Sequence, residues 1–579
     1  MYAGKTTSID IPSVEHGRLI TLSNGYIYYV TEFRWDSTKK RTEDNRVGIG
    51  KVDPEHPGKM FPNKKYALFF GAPVTEAQVA DTIDTNWYDR TKRKEAGKLD
   101  FTLSYGPFAV LTRAAEMSGM LNALQQSMPR LWREIFAVAL HAVVAEQSTA
   151  QSFPGWAFDN WCGLTNSPSD STISRIYSEI ARTPECIPLF FEYYFREFHK
   201  AFPVSDVRVV AFDSTNQVTE SKNQVKARRG KSKTGEKLPI INTAMFVDEV
   251  THISLWYEHF DGNVLDKSQT PYSIEKAKEL GFKKLFAMMD RGYYSESNAR
   301  KINLLNIEFG MMMPETASIV SDLISKFKCD IKLQEKHYIP EEDIYGIQTT
   351  VELSSQNFYA YVFYDDHTAT DERNSIHAKV NYFMEEAQKR FRYTEKMKKF
   401  FSERGIIVNK VEYNEQTKKN FTLEINNEMV QQAYEESGFF VIISNKLLSA
   451  KDMICIARSR DCVEKAYRDL KSHFMLSRTY THSDETYCGK MFVAFIALII
   501  LQSFRWFTRH ILRSNSSETI STLLSEMRKY KILEKKDCTW MPVYTMNKKQ
   551  KEIVKALTLT EEQIEKDVRS LSINRKQEQ

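Results

Sequence analysis

The chain has 579 residues, 42% hydrophobic and 27% charged, enough apolar material for several cores and too much for wholesale disorder. Its 80 Lys and Arg against 75 Asp and Glu leave +5, which neither demands nor excludes nucleic acid, so local clusters must carry that argument. Seven scattered cysteines with no Cys-x-x-Cys pair argue against a disulfide framework or a zinc knuckle. MYAGKTTSIDIP lacks an apolar core of signal-peptide length, and the strongest apolar run, Met491 to Leu501, is too short for a bilayer. A buried helix there and a cytoplasmic protein without a membrane partner are expected.

Residues 1–75 read as a β-rich unit, with ITLSNGYIYYVTEF alternating about Asn24-Gly25, a dipeptide suited to a tight hairpin. TKKRTEDNR is expected to be a charged loop tip. From 76 to 205 the apolar spacing turns to three and four, as in LWREIFAVALHAVVAEQ, and predicts helices. Within it SPSDSTISRIYSEI turns Ile173, Ile176 and Ile180 inward and Ser174 and Arg175 outward; a DNA-reading helix and a packing helix both fit.

A core is expected to begin near Val207 and to span 206–318 in its first part. VRVVAFD and KLFAMMD read as buried strands, each ending on an acid, Asp213 and Asp290, and carboxylates at strand ends commonly line a site. Between them come two more strands, PIINTAMFV and THISLWYEH, and a helix, SIEKAKEL. The loop from Glu220 to Lys237 holds Lys222, Lys226, Arg228, Arg229, Lys231, Lys233 and Lys237 against two glutamates, a composition for neutralising phosphates or for a solvated loop. Residues 319–438 depart from this order and read as a separate β-rich inserted unit; its Phe358, Tyr359, Tyr361 and Phe363 are expected in strand cores.

The core resumes over 439–512 with FFVIIS and then ARSRDCVEKAYRDLK. There Arg460, Glu464 and Lys471 recur at four and seven on one helix side while Val463, Ala466, Leu470 and Phe474 form an apolar stripe on another. A carboxylate between two cations suits a metal beside phosphate, and equally an ordinary amphipathic surface helix. SRTYTH, with Arg478, Tyr480 and His482, follows as a DNA-facing extension or a plain connection. Residues 513–579 read as a helical, charged tail.

These residues resemble the DDE transposases of bacterial insertion sequences, in particular the insertion-sequence-four group. Its signature is Tyr, two residues, Arg, three residues, Glu, six residues, Lys; Arg460, Glu464 and Lys471 fit it, and Ala457 stands where the tyrosine belongs. Asp290-Arg291-Gly292-Tyr293 resembles the family's element at its second aspartate, and the resemblance runs from about Val207 to Leu501.

The resemblance implies an α/β fold: an RNase H-like catalytic core interrupted by a β-rich insertion, with the N-terminal β-hairpin unit and a helical DNA-binding region in front. It implies Asp213, Asp290 and Glu464 as catalytic residues and ligands of two Mg ions, with Mn as a substitute. Three carboxylates brought together repel unless cations hold them, and oxygen ligands favour Mg or Mn over zinc. Arg460 and Lys471 would contact phosphates, with Arg291, Lys226, Arg228, Arg229, Lys231 and Lys233 as further DNA contacts. In some relatives a tryptophan of the insertion stacks on a flipped base; this insertion contains none, so that role has no bearer here. The implied partners are double-stranded DNA, as transposon ends and target, and a second protomer in the DNA complex, in a bacterial, nucleoid-associated setting. The implied activity is cut-and-paste transposition. A nuclease that cuts without joining and an inactive, domesticated DNA-binding protein are the alternatives.

Overall fold

The computed structural model describes residues 9–66, 101–389, 410–412 and 422–577, apart from 15–17, 24, 37–40, 63–65, 146–148, 184, 205–206, 234, 280, 282–283, 475, 515 and 536–538. The expected helical stretch before residue 101, part of the charged loop tip and Asn24 of the hairpin dipeptide lie outside them. The chain divides into two units, Met1–Lys98 and Leu99–Gln579.

In the first unit the strands Ile9–Asp10, Lys59–Pro62, Arg41–Val52, Tyr26–Asp36 and Arg18–Thr21 form one sheet in that order. Gly25 takes φ +82° in the turn before Tyr26, a conformation that costs glycine nothing. Arg41 to Arg46, expected at a loop tip, belong to a strand instead, paired across to Val30 through Asp36. Ile27, Val30, Ile49 and Met60 fill a small core.

The second unit is built on a sheet whose strand order is Tyr338–Ile339, Ile344–Leu353, Gln356–Tyr364, Phe439–Ser444, Glu308–Met312, Leu285–Met289, Arg208–Thr219, Ile240–Asp248, Ser254–Asp261. The strands from 208 to 261 run antiparallel in succession; after the helix Asp266–Glu279 the chain returns parallel beside the first of them, then again beyond it. That is the order of strands and helices expected from the sequence.

Two expectations change. Within the 319–438 segment only Lys410–Glu412 and Thr422–Glu424 pair apart among the described residues; Gln356–Tyr364 pairs with Phe439–Ser444, which pairs with Glu308–Met312, so the strands Tyr338–Ile339, Ile344–Leu353 and Gln356–Tyr364 extend the core sheet. Their apolar side chains, Phe358, Tyr361 and Phe363 among them, are buried by that extension. The C-terminal residues are likewise no free tail. Lys531–Glu534 pairs with Phe101–Ser104, and Leu523, Met527, Ile532, Ile553 and Val568 are buried with the helical layer.

That layer surrounds the helix Asp484–Phe507, which is 24 residues long, longer than the Met491–Leu501 run suggests. It is long and apolar enough to cross a membrane, and 89% of its apolar window is buried inside the protein. A Cβ at Gly489 would meet the carbonyl oxygen of Tyr177 at 1.9 Å, so this glycine lets Asp170–Arg182 lie directly on it. Ser169 caps that second helix, Ile173, Ile176 and Ile180 are buried, and Ser174 and Arg175 are exposed. Its inner face is therefore committed to packing.

Candidate active site

Asp213 lies within its strand rather than at the end. The run after it, STNQVT, looks like loop but stays in the sheet because its buried polar side chains find partners. Asn216 Nδ2 donates to the Lys231 carbonyl, Tyr487 donates to Gln217 Oε1, and Thr219 donates to Gln224. Asp290 comes directly after its strand, Leu285–Met289. Met289 pairs in parallel with Phe212, so the two aspartates follow one another in register on adjacent strands. Asp290 then caps a short 3-10 turn, its Oδ1 accepting from the Arg291 N–H at 2.8 Å.

Asp213 Oδ1 accepts from the Ser214 N–H at 2.7 Å and from the Tyr293 hydroxyl at 2.8 Å. Burial pushes its carboxyl above the ordinary aspartate value, and the charge of Lys233, the Tyr293 hydrogen bond and Arg460 pull the other way. Lys233 is fixed in turn: its N–H donates to Asn216 Oδ1 at 3.1 Å, and its ammonium reaches the Ser214 carbonyl and lies 3.5 Å from Asp266.

The segment carrying Glu464 is not one helix. Ala450–Ser459 stops, Arg460 forms the joint, and Asp461–Arg468 starts anew, followed by a π-helical turn at Asp469–His473. The apolar stripe of Val463, Ala466, Leu470 and Phe474 is buried as expected. Arg460 donates to Glu464 Oε1 at 3.0 Å and lies 3.9 Å from Asp290 Oδ2, so one guanidinium joins two of the three acids. Lys471 lies in the π-helical turn, within electrostatic reach of Asp213 and Lys233: burial lowers its pKa first, Lys233 adds to that, and Asp213 opposes it. Asp461, one residue after Arg460, is paired with Lys465 at 2.5 Å.

The remaining expected cations divide. Arg291 turns from the acids to Glu315 at 2.7 Å. Lys226 donates to the His259 carbonyl at 2.6 Å, and the backbone of Arg228 bridges to Ile240. Arg229 and Lys231 are exposed with no acidic partner among the described residues. Both glutamates of this loop, Glu220 and Glu236, are occupied by Arg478 at 2.9 and 2.6 Å, which pins the loop and keeps them from Arg229 and Lys231. Sequence reasoning missed Tyr293 and Tyr467 as partners of Asp213, and Asp266 as a partner of Lys233. The only local signal was their position: each tyrosine stands three residues after an expected acid.

All three expected ligands are carboxylates, a donor set that fits a hard divalent cation. They are not gathered into a shell: among the described residues no group of three or more His, Cys, Asp or Glu side chains could hold a metal ion. Arg460 lies between Asp290 and Glu464, supplying the positive charge there itself.

A family model described as a transposase DDE domain matches residues 205–500. Among solved structures the chain is similar to a piggyBac transposase synaptic complex with hairpin DNA, at 9% identity and a TM-score of 0.33, covering 74% of this chain and 82% of that one. It is also similar to a Mos1 transposase paired-end complex with the left transposon end, at 15% identity and a TM-score of 0.14, covering 26% of this chain and 44% of that one. A Mos1 mariner paired-end complex with Mn matches at 12% identity and a TM-score of 0.13, over 28% of this chain and 48% of that one. No curated protein matches.

Proposed function

The chain belongs to the family of transposases with a DDE domain, and from that premise we propose that it binds the terminal inverted repeats of its own insertion sequence and moves it by cutting and joining DNA. Asp213, Asp290 and Glu464 are the catalytic carboxylates. The observation that carries this reading is the placement of the acids: Asp213 and Asp290 directly follow the paired residues Phe212 and Met289 of adjacent parallel strands, and Arg460 joins Asp290 to Glu464. The spacing of Arg460, Glu464 and Lys471 supports the insertion-sequence-four group, with Ala457, half-buried against the sheet, in the tyrosine position.

The three carboxylates would hold two Mg ions, or Mn in their place, which would supply Lewis-acid activation of the attacking oxygen and stabilisation of the leaving oxygen at phosphorus. The chain's own residues do the rest. Lys233 and Lys471 flank Asp213 and receive the scissile phosphate, offsetting its charge. Arg460, between two acids, is placed to exchange them for DNA phosphate. Arg229 and Lys231, with Lys226 and Arg228 beside them, track the duplex backbone. Two protomers pairing two ends would make the working assembly a homodimer.

The test is Mg- or Mn-dependent cleavage of a labelled duplex carrying the element's terminal repeat, beside Asp213→Asn, Asp290→Asn and Glu464→Gln. Cleavage should vanish in each variant while duplex binding persists; retained cleavage in any of them overturns the assignment. Cleavage without joined products would make the protein a nuclease. Binding without cleavage by the unaltered chain would make it a DNA-binding relative.

A further inference from the structure

Asp213 is gripped from two sides, and each grip comes from an element that carries another of the acids. Tyr293, three residues after Asp290 in the same turn, donates to Asp213 Oδ1 at 2.8 Å and lies 2.9 Å from Ser214 Oγ. Tyr467, three residues after Glu464 and one helical turn on, lies with its hydroxyl 2.8 Å from the backbone carbonyl of Asp213 and 3.1 Å from that of Thr243. Both rings are buried, at 3% and 6% exposure, among apolar neighbours such as Phe212, so neither hydroxyl competes with bulk water for these bonds.

Two donors, the Ser214 N–H and the Tyr293 hydroxyl, converge on the same oxygen, Oδ1. Neither takes Oδ2. Resting on the reading of Asp213, Asp290 and Glu464 as the catalytic acids, we propose that Tyr293 and Tyr467 are positioning residues. Tyr293 fixes the carboxylate plane of Asp213 so that Oδ2 is presented to the cation, and Tyr467 sets the Glu464 helix at a fixed distance from the Asp213 strand. A hydroxyl that orients a ligand in this way typically changes metal affinity by about ten- to a hundred-fold when removed.

The control is Tyr361. It is equally buried and sits on the same sheet, its hydroxyl accepting from the Leu448 N–H at 2.7 Å and lying 3.2 and 3.1 Å from the Lys446 and Leu448 carbonyls, away from the acids. The full-length chain is titrated with manganese alone, free Mn being read by electron paramagnetic resonance, for the unaltered protein, Tyr293→Phe, Tyr467→Phe, Tyr361→Phe and Glu464→Gln, with circular dichroism establishing that each is folded. Tyr293→Phe and Tyr467→Phe should bind manganese roughly ten-fold or more weakly, and Tyr361→Phe should bind it as the unaltered chain does. If Glu464→Gln loses manganese while both tyrosine variants match Tyr361→Phe, the tyrosine proposal falls alone. If Glu464→Gln binds as well as the unaltered chain, the three-acid reading falls and the proposal with it.

Discussion

Asp248 and Asp213 are carboxylates on neighbouring antiparallel strands, and their surroundings differ in kind. Asp248 is 1% exposed; one oxygen takes Arg208 at 2.6 Å, the other takes the Thr251 N–H at 2.9 Å and its hydroxyl at 2.7 Å. Arg208 spends its remaining capacity on the Phe202 carbonyl and the face of Phe198. Nothing there is left to bind a ligand. Asp213 has neutral donors on one oxygen and cations nearby, but no ion pair among the described residues. A fully paired buried charge belongs to the fold, whereas a charge held in place and left partly unpaired is available for chemistry.

The comparison predicts opposite responses to losing the charge. Asp248→Ala strands Arg208 in the interior and should cost about 3–5 kcal/mol in urea unfolding. Asp213→Asn keeps the shape, removes a charge that burial already opposes, and should leave the unfolding midpoint no lower than that of the unaltered chain. If the two variants lose equal stability, Asp213 is a structural acid and the distinction fails.

The cations divide the same way, with smaller consequences. Arg478 is held by two glutamates and Arg291 by one, while Arg229 and Lys231 have no acidic partner among the described residues. If the free pair meets phosphate, a double change of Arg229 and Lys231 to alanine should flatten the dependence of log affinity on log salt by about one for each phosphate no longer neutralised. Arg291→Ala should change the slope less, since its exposed pair with Glu315 must first be given up. Fluorescence anisotropy with a labelled duplex across a salt series measures both, and equal slopes would remove the distinction between held and free cations.

Much of the site could be read from local pattern. The spacing that predicts a buried stripe at Val463, Ala466, Leu470 and Phe474 is a property of one helix, and the apolar run before Asp290 is a property of one strand, so both survive folding. What was illegible depends on partners distant in sequence. The polar run after Asp213 stays in a strand only because Gln224, Lys231 and Tyr487 satisfy it. Ile344–Leu353 and Gln356–Tyr364 join the core sheet only because Phe439–Ser444 returns beside them, and Lys531–Glu534 finds Phe101–Ser104 across most of the chain. The joint at Arg460 was hidden because the spacing continues across it. Tyr293 and Tyr467 were visible only as offsets from acids, and an offset does not reveal that both hydroxyls converge on a third residue.

His259 tests the comparison at its finest grain, because it is a buried titratable group on the Asp213 side of the ladder that is neither paired with a charge nor left open. Its strand neighbour Thr243 bonds Nδ1 through the hydroxyl at 2.9 Å, and that residue's carbonyl also faces Tyr467; Nε2 finds no partner among the described residues. Burial, helped by the charges of Lys226 and Lys276, lowers its pKa from 6.5 to about 3. The folded chain therefore refuses a proton that the unfolded chain accepts below pH 6.5, so this contribution to stability is complete above 6.5 and is lost as pH falls towards 3. The loss approaches about 1.4 kcal/mol for each pH unit in that window. His259→Asn can keep the bond to Thr243 and has nothing to titrate, so its urea-unfolding free energy should fall less steeply between pH 6.5 and 5 than that of the unaltered chain. An unchanged slope would mean that His259 takes up its proton in the folded state, and that this side of the ladder is open to water well beyond Asp213.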